Sequence, residues 1–251
     1  MNIVTTIKDW QIARKLLIGK SVGFVPTMGH LHDGHLTLCE RSLNENEVTV
    51  ASIFINPMQF NQTSDFDHYP RTYDADIEKL KVLGVDYLFM PKPEDMYPDS
   101  YEVKVTESKD SKELEGQHRP GHFDGMMTVV LKLFNLVQPT RAYFGEKDYQ
   151  QLLLIKKMVH ALFLPIDIIA CETIRADDYL ALSSRNSRLS SEQRKMAAQF
   201  PDVMRRTKSE TTAIEELTKL GFKVDYICEK WGRRLGAVWL GDIRLIDNIE
   251  V

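Results

Sequence analysis

Short apolar runs and helix-periodic segments alternate through residues 21–174, and this alternation narrows the fold more than any other feature. Residues 21–25 are apolar and stop at Pro26, while 34–44 place Leu36, Leu38, Cys39 and Leu43 on one helical face. Residues 48–55, VTVASIFI, are β-branched and apolar, as a parallel strand buried on both faces requires. A helix at 74–83 and strand at 87–90, a helix at 125–137 and strand at 141–144, and a helix at 149–163 and strand at 166–174 repeat the order. Repeated strand–helix–strand units predict an α/β fold, a doubly wound parallel sheet with right-handed crossovers. After Leu189 the rhythm changes. Ser190 and Ser191 precede a helix at 192–199, and a charged stretch runs to Lys208. Residues 211–220 form a helix stopped by Gly221, and 222–228 and 237–246 read as strands. The expected organisation is a catalytic domain at 1–186 and a small α+β domain at 187–251.

Bulk properties exclude several classes. The formal charge is -4 and no basic run exceeds two residues, so nucleic acid is not an expected partner. Cys39, Cys171 and Cys228 are odd in number and lack metal-ligand spacing, which predicts a reducing, cytoplasmic setting without a disulfide framework. The start, MNIVTTIKDW, lacks the pattern of a signal peptide. The most apolar stretch, 152–170, is interrupted by Lys156, Lys157, His160, Pro165 and Asp167, so no membrane span is expected. The polar stretch 107–118 reads as a mobile loop.

Three polar clusters follow predicted strands, so all three are expected to face one crevice beyond the strand ends. The first is PTMGHLHDGH at 26–35. His32 and His35 lie one turn apart where a helix begins, and imidazole donors and the helix dipole there suit a phosphate. Gly29 and Gly34 allow close backbone approach. As zinc ligands the two histidines lack a third partner, and a capping or surface role is the ordinary alternative. The second cluster is GEKD at 145–148, with Lys147 as a mobile point charge for phosphate and Asp148 for ribose hydroxyls, or else a solvated turn. The third is SSRN at 183–186, whose hydroxyls and Arg185 suit phosphates carrying developing charge, or else cap a helix. Gln59 and Gln151 offer uncharged recognition of hydroxyl and carboxylate, or are routine amides. No P-loop, GxGxxG or Ser-His-Asp order stands out.

The motifs PTMGHLHDGHLTL, SIFINPMQF, YPRT, RPGHFDGMMTVVLKLFNLVQPTRAYFGEKDYQQLLLIKKMV, IRADDYLALSSRN and RLIDNI together resemble the pantoate–β-alanine ligase family. The resemblance implies a Rossmann-like fold of the nucleotidyltransferase type, related to class I aminoacyl-tRNA synthetases, and usually a homodimer. It implies a reaction of ATP, (R)-pantoate and β-alanine, with Mg²⁺, giving pantothenate, AMP and pyrophosphate through a pantoyl-adenylate. Carried over by motif, the ATP site comprises Pro26, Thr27, Met28, Gly29, His32, Gly34, His35, Gly145, Glu146, Lys147, Asp148, Ile174, Leu182, Ser183, Ser184 and Arg185. Among these His35, as proton donor, His32, Lys147 and Arg185 are the expected catalytic groups. Gln59, Gln151, Asn56 and Met28 are the expected substrate contacts. Asp76 is a plausible Mg²⁺-linked acid without an assignment. His30, Ala176 and Tyr179 depart from the family pattern, and the segment between Tyr226 and Ala237 reads as shortened. Two alternatives are weaker. A nucleotidyltransferase acting on a phosphate acceptor would favour Arg and Lys over Gln59 and Gln151, and a catalytically silent nucleotide binder would not need His32, His35, Lys147 and Arg185.

Overall fold

The computed structural model describes residues 1–61 and 66–251. The chain divides into two compact units, 1–145 with 150–171, and 146–149 with 172–251. The boundary expected after residue 186 therefore falls inside the second unit. Leu182 N donates to Ile174 O at 2.9 Å and Arg175 bridges to Ala181, which folds this segment back on itself.

The first unit is built on a six-stranded parallel sheet. Its elements are β1 (Asn2–Val4), α1 (Ile7–Lys15), β2 (Val22–Thr27), α2 (Asp33–Glu45), β3 (Val48–Ile53), α3 (Tyr73–Leu83), β4 (Tyr87–Phe89), α4 (Pro93–Met96), α5 (Glu115–His118), α6 (His122–Val137), β5 (Arg141–Gly145), α7 (Tyr149–Ala161) and β6 (Asp167–Cys171). The strand order is β1-β4-β3-β2-β5-β6. It reverses between β2 and β5, and ligands of such sheets bind beyond the carboxyl ends near that reversal.

Alternation along the strands sorts the core onto two faces. Val25 of β2 and Tyr143 of β5 join Leu38 and Cys39 of α2 and Leu80 of α3 in one cluster. Their neighbours Phe24 and Phe144 meet Phe134 of α6 edge-on on the other side. Trp10 of α1 is fully buried, and its Nε1 donates to Leu136 O at 2.8 Å.

Strand β2 does not stop at Pro26 but runs through it to Thr27. Thr27 O accepts from Phe54 N on the β3 side, so the donor that Pro26 lacks faces β5. There the ladder is confined to Gly23 and Phe24, and no partner is missed. The expected strands at 48–55 and 166–174 are shorter, and β1 and α1 lay outside the sequence reading. The stretch 107–118 is not an open loop. It holds a 3-10 turn (Asp110–Lys112) and α5, with Asp110, Ser111, Glu115 and Gly116 buried. Gln150 grips it, donating to Asp110 O at 2.7 Å and Glu113 O at 2.9 Å while accepting from Glu115 N at 3.1 Å.

The second unit carries α8 (Ser191–Ala197), α9 (Gln199–Arg206), α10 (Glu210–Lys219) and an antiparallel sheet β7-β8-β9, formed by Lys223–Lys230, Arg233–Leu240 and Ile243–Glu250. Helix α9 replaces the expected charged stretch: Phe200, Val203 and Met204 are buried, and Arg205 and Arg206 sit outside. The strand expected at 237–246 is two strands separated by Gly241–Asp242. Trp231 (φ 57°) and Gly232 (φ 73°) are both left-handed, as a two-residue type I′ turn requires, so β7 and β8 form a tight hairpin. Among the described residues no helix is long and apolar enough to cross a membrane.

Candidate active site

The loop after β2 is fixed by a buried carboxylate. Asp76 Oδ2 accepts from His30 N at 2.8 Å and Thr72 Oγ1 at 3.1 Å, and its Oδ1 accepts from Leu31 N at 2.8 Å. Asp76 is therefore a clamp on this loop, and its oxygens are already engaged. Among the described residues no group of three His, Cys, Asp or Glu side chains is arranged to hold a metal. Gly29 (φ 79°) is left-handed, and a Cβ there would meet Ile53 Cγ2 at 3.1 Å and Asp76 Oδ2 at 3.2 Å. Thr27 Oγ1 donates to Ser52 O at 2.8 Å and accepts from Gly29 N at 3.2 Å, which tightens the same turn. His30 (φ 52°) takes a left-handed conformation, with Nδ1 3.4 Å from Thr72 Oγ1.

Helix α2 starts at Asp33, with His32 as its N-cap and Gly34 in its first turn. His35 Nδ1 accepts from His32 N at 3.3 Å. A neutral imidazole that accepts at Nδ1 carries its proton at Nε2, so His35 presents an Nε2–H donor. The His32 and His35 rings lie 4.1 Å apart between centroids, tilted by 37°. Two imidazole rings thus sit at the positive end of a 13-residue helix.

Asn56, Gln59 and Met28 come together. Gln59 Nε2 lies 2.7 Å from Met28 Sδ, and Asn56 Nδ2 donates to Gln59 Oε1 at 3.2 Å and to Gly125 O at 3.0 Å. Tyr97 donates to Asn56 Oδ1 at 2.6 Å. Burial, with Tyr101 and Asp99 nearby, pushes the Tyr97 phenol up, so it remains a donor. His122 Nδ1 is 2.8 Å from Gln59 O, and Arg119 Nη1 is 3.2 Å from His122 Nε2. Tyr97, Arg119 and His122 were not anticipated, although the last two stand in the RPGHFDGM run. Gln151 is half-buried at the start of α7.

The close approach of α6 to the turn Pro57–Gln59 depends on Gly125, where a Cβ would stand 2.4 Å from Met58 O. Gly125→Ala must move backbone, and overpacking of this kind costs about 1–3 kcal/mol. We expect a lowered melting temperature, read by thermal denaturation; a variant that melts like the parent would mean that the two backbones separate without cost.

In the second unit, Glu146–Asp148 form a 3-10 turn directly after Gly145, the last residue of β5. Lys147 Nζ stands 3.8 Å from Asp148 Oδ2, and its side chain is half-buried. Ile174 and Leu182 are joined by a backbone hydrogen bond. Ser183 caps a 3-10 turn (Ser184–Arg188) by accepting from Arg185 N at 3.3 Å. Asn186 Nδ2 donates to Ala181 O at 2.9 Å. Tyr179 holds the left-handed turn (φ 67°) before this loop, with the Arg205 guanidinium 4.2 Å from its ring centre. A left-handed non-glycine residue costs roughly 1–2 kcal/mol, partly offset by a cation–π contact of about 0.5–1 kcal/mol. The cation–π contact thus supports a left-handed turn at a position that is not glycine.

The family model described as pantoate-beta-alanine ligase matches residues 2–250. A pantothenate synthetase of Legionella pneumophila (strain Lens) is 51% identical over 249 residues, covering 99% of each chain. One of Coxiella burnetii (strain Dugway 5J108-111) is 49% identical, covering 99% of this chain and 96% of its own. A pantoate–β-alanine ligase of Francisella tularensis, solved with a β,γ-ATP compound and β-alanine, superposes with a TM-score of 0.96 at 40% identity over 100% of this chain and 97% of that one. The pantothenate synthetase of Thermus thermophilus gives 0.92 at 41% identity over 100% and 99%. The segment between Tyr226 and Ala237 forms the β7–β8 hairpin.

Proposed function

This chain belongs to the pantoate–β-alanine ligase family, enzymes that make pantothenate from pantoate and β-alanine with ATP, and on that premise we propose how its own residues carry the reaction. A carboxylate is a poor acyl donor because its leaving group would be oxide. Attack of the pantoate carboxylate on the α-phosphorus of ATP releases pyrophosphate and leaves an acyl adenylate, from which AMP departs readily. Negative charge accumulates on the phosphates during that attack. His35 donates from Nε2 to a phosphate oxygen, His32 and the α2 dipole support the same charge, and Lys147, Ser183, Ser184 and Arg185 serve the departing pyrophosphate. Pro26, Thr27, Met28, Gly29 and Gly34 bring backbone close to the nucleotide, and Gly145, Glu146, Asp148, Ile174 and Leu182 complete its contacts. Gln59, Asn56, Met28 and Gln151 orient pantoate. The β-alanine amine then attacks the acyl carbon, and enclosure limits competing hydrolysis.

The observation that carries this reading is the His32 N to His35 Nδ1 hydrogen bond, which leaves the proton of a neutral His35 on Nε2 at a helix N-terminus. Mg²⁺ accompanies ATP in this reading. Both oxygens of Asp76 are taken up by the loop, which favours an ion held by phosphate oxygens and water, and no step is assigned to it. We propose that this two-unit chain acts as a cytoplasmic homodimer. The odd count of three cysteines accords with a reducing compartment.

The test incubates the protein with ATP, Mg²⁺ and (R)-pantoate, with and without β-alanine. Equal amounts of AMP and pantothenate, formed only with both substrates, are expected. Pantoate-dependent pyrophosphate exchange without amide would locate the assigned groups in the first step only. No pantoate-dependent turnover would overturn the reading.

A further inference from the structure

Two buried polar residues of β9, Asp247 and Asn248, organise the loops of the second unit. Asn248 Nδ2 donates to Glu146 O and to Lys147 O, both at 2.9 Å. These carbonyls belong to the peptide planes on either side of the Lys147 Cα. One amide group therefore fixes both planes and, with them, the direction in which the Lys147 side chain leaves the backbone. Asn248 is itself oriented: its Oδ1 accepts from Arg233 Nη1 at 2.9 Å. Arg233 Nη2 reaches Glu146 Oε2 at 2.8 Å, and its guanidinium lies 4.4 Å from the Tyr149 ring centre, so the same turn is held by its side chains as well.

The other loop is tied to the same place. Arg175 forms a two-armed pair with Asp247 at 2.7 and 2.9 Å, and also donates to Asn248 O at 3.1 Å and Tyr179 O at 2.9 Å. Asn248 N donates to Asp247 Oδ1 at 2.7 Å, which joins the two networks. Glu146–Asp148 and Ile174–Arg185 thus share one anchor on β9.

We propose that Asn248, oriented by Arg233 and joined through Asp247 to Arg175, is a positioning residue for ATP use: it sets the Lys147 turn against the Ile174–Arg185 loop. The inference rests on the reading of Lys147 and Ser183–Arg185 as nucleotide contacts. Asn248 touches no substrate and acts through the backbone of Lys147.

The deciding variant is Asn248→Asp. It keeps size and shape and can still pair with Arg233, but it sets carboxylate oxygen against two carbonyl oxygens. The expected result is a 10–100-fold fall in kcat/KM for ATP, with KM for β-alanine within twofold of the parent and an unchanged circular dichroism spectrum. Arg233→Lys keeps the charge but loses the planar fork, and gives a smaller fall in the same direction; it decides the matter if Asn248→Asp does not fold. Unaltered ATP kinetics in the folded variants would overturn the proposal. So would an equal loss for all substrates together with a lowered melting temperature, which marks general damage. Lys147→Ala serves as the reference. If it leaves ATP kinetics intact, the nucleotide-site reading fails, whatever Asn248→Asp does.

Discussion

His35→Ala is expected to slow pantoate adenylation by about 10²–10³-fold, the usual effect of removing one well-placed donor from developing charge. The defect belongs in pantoate-dependent pyrophosphate exchange, because the donor acts before the amine enters. Two further substitutions separate its two ring nitrogens. His35→Asn retains an acceptor near the Nδ1 position for His32 N, but loses the distal donor. His35→Gln retains a distal donor and weakens the local cap. The reading expects Asn to resemble Ala and Gln to recover part of the rate. Parental exchange in His35→Asn would mean that His35 only starts the helix.

Asp76→Asn is expected to lose stability and nucleotide binding together. Asp76 is fully buried and accepts two backbone amides and a threonine hydroxyl. An asparagine has one acceptor oxygen and must turn an NH₂ group toward His30 N or Leu31 N. Leaving a buried amide unsatisfied and removing charge-assisted bonds costs about 3 kcal/mol. For a chain of this size that corresponds to a fall in melting temperature of roughly 6–12 °C. The loop at Gly29 loses its brace as well, so the stabilisation of the variant by ATP shrinks. A variant that melts like the parent and keeps its ATP-dependent shift would show that the clamp is dispensable.

The parallel sheet was legible because each strand buried on both faces is written as a continuous apolar run, of which VTVASI in β3 is the clearest. Helix α2 was legible from its apolar spacing. The case of α9 is different: Phe200, Val203 and Met204 mark a face, but Arg205, Arg206 and Lys208 gave the stretch a solvated look. Strands β8 and β9 merged in the reading because Gly241–Asp242 is a turn signal only two residues long. His32, His35 and Lys147 stand out in the sequence because their side chains suit phosphate by type. The functions of Asp76 and Asn248 were not readable. Each acts on the backbone of a loop far away in sequence, and no local pattern records which carbonyl or amide a buried side chain will meet.

The bonds from Asn248 to Glu146 and Lys147 span 102 and 101 residues of chain. During synthesis the ribosome completes the sheet strands β1–β6 long before it reaches β9, and the Lys147 turn then lacks its anchor. A strand made about a hundred residues later sets this turn. The turn therefore belongs to the slow, non-local part of folding, and a nascent chain ending before Ile243 would carry Lys147 without its brace. On the positioning role proposed for Asn248, competence to use ATP then waits on β9 and not on the parallel sheet.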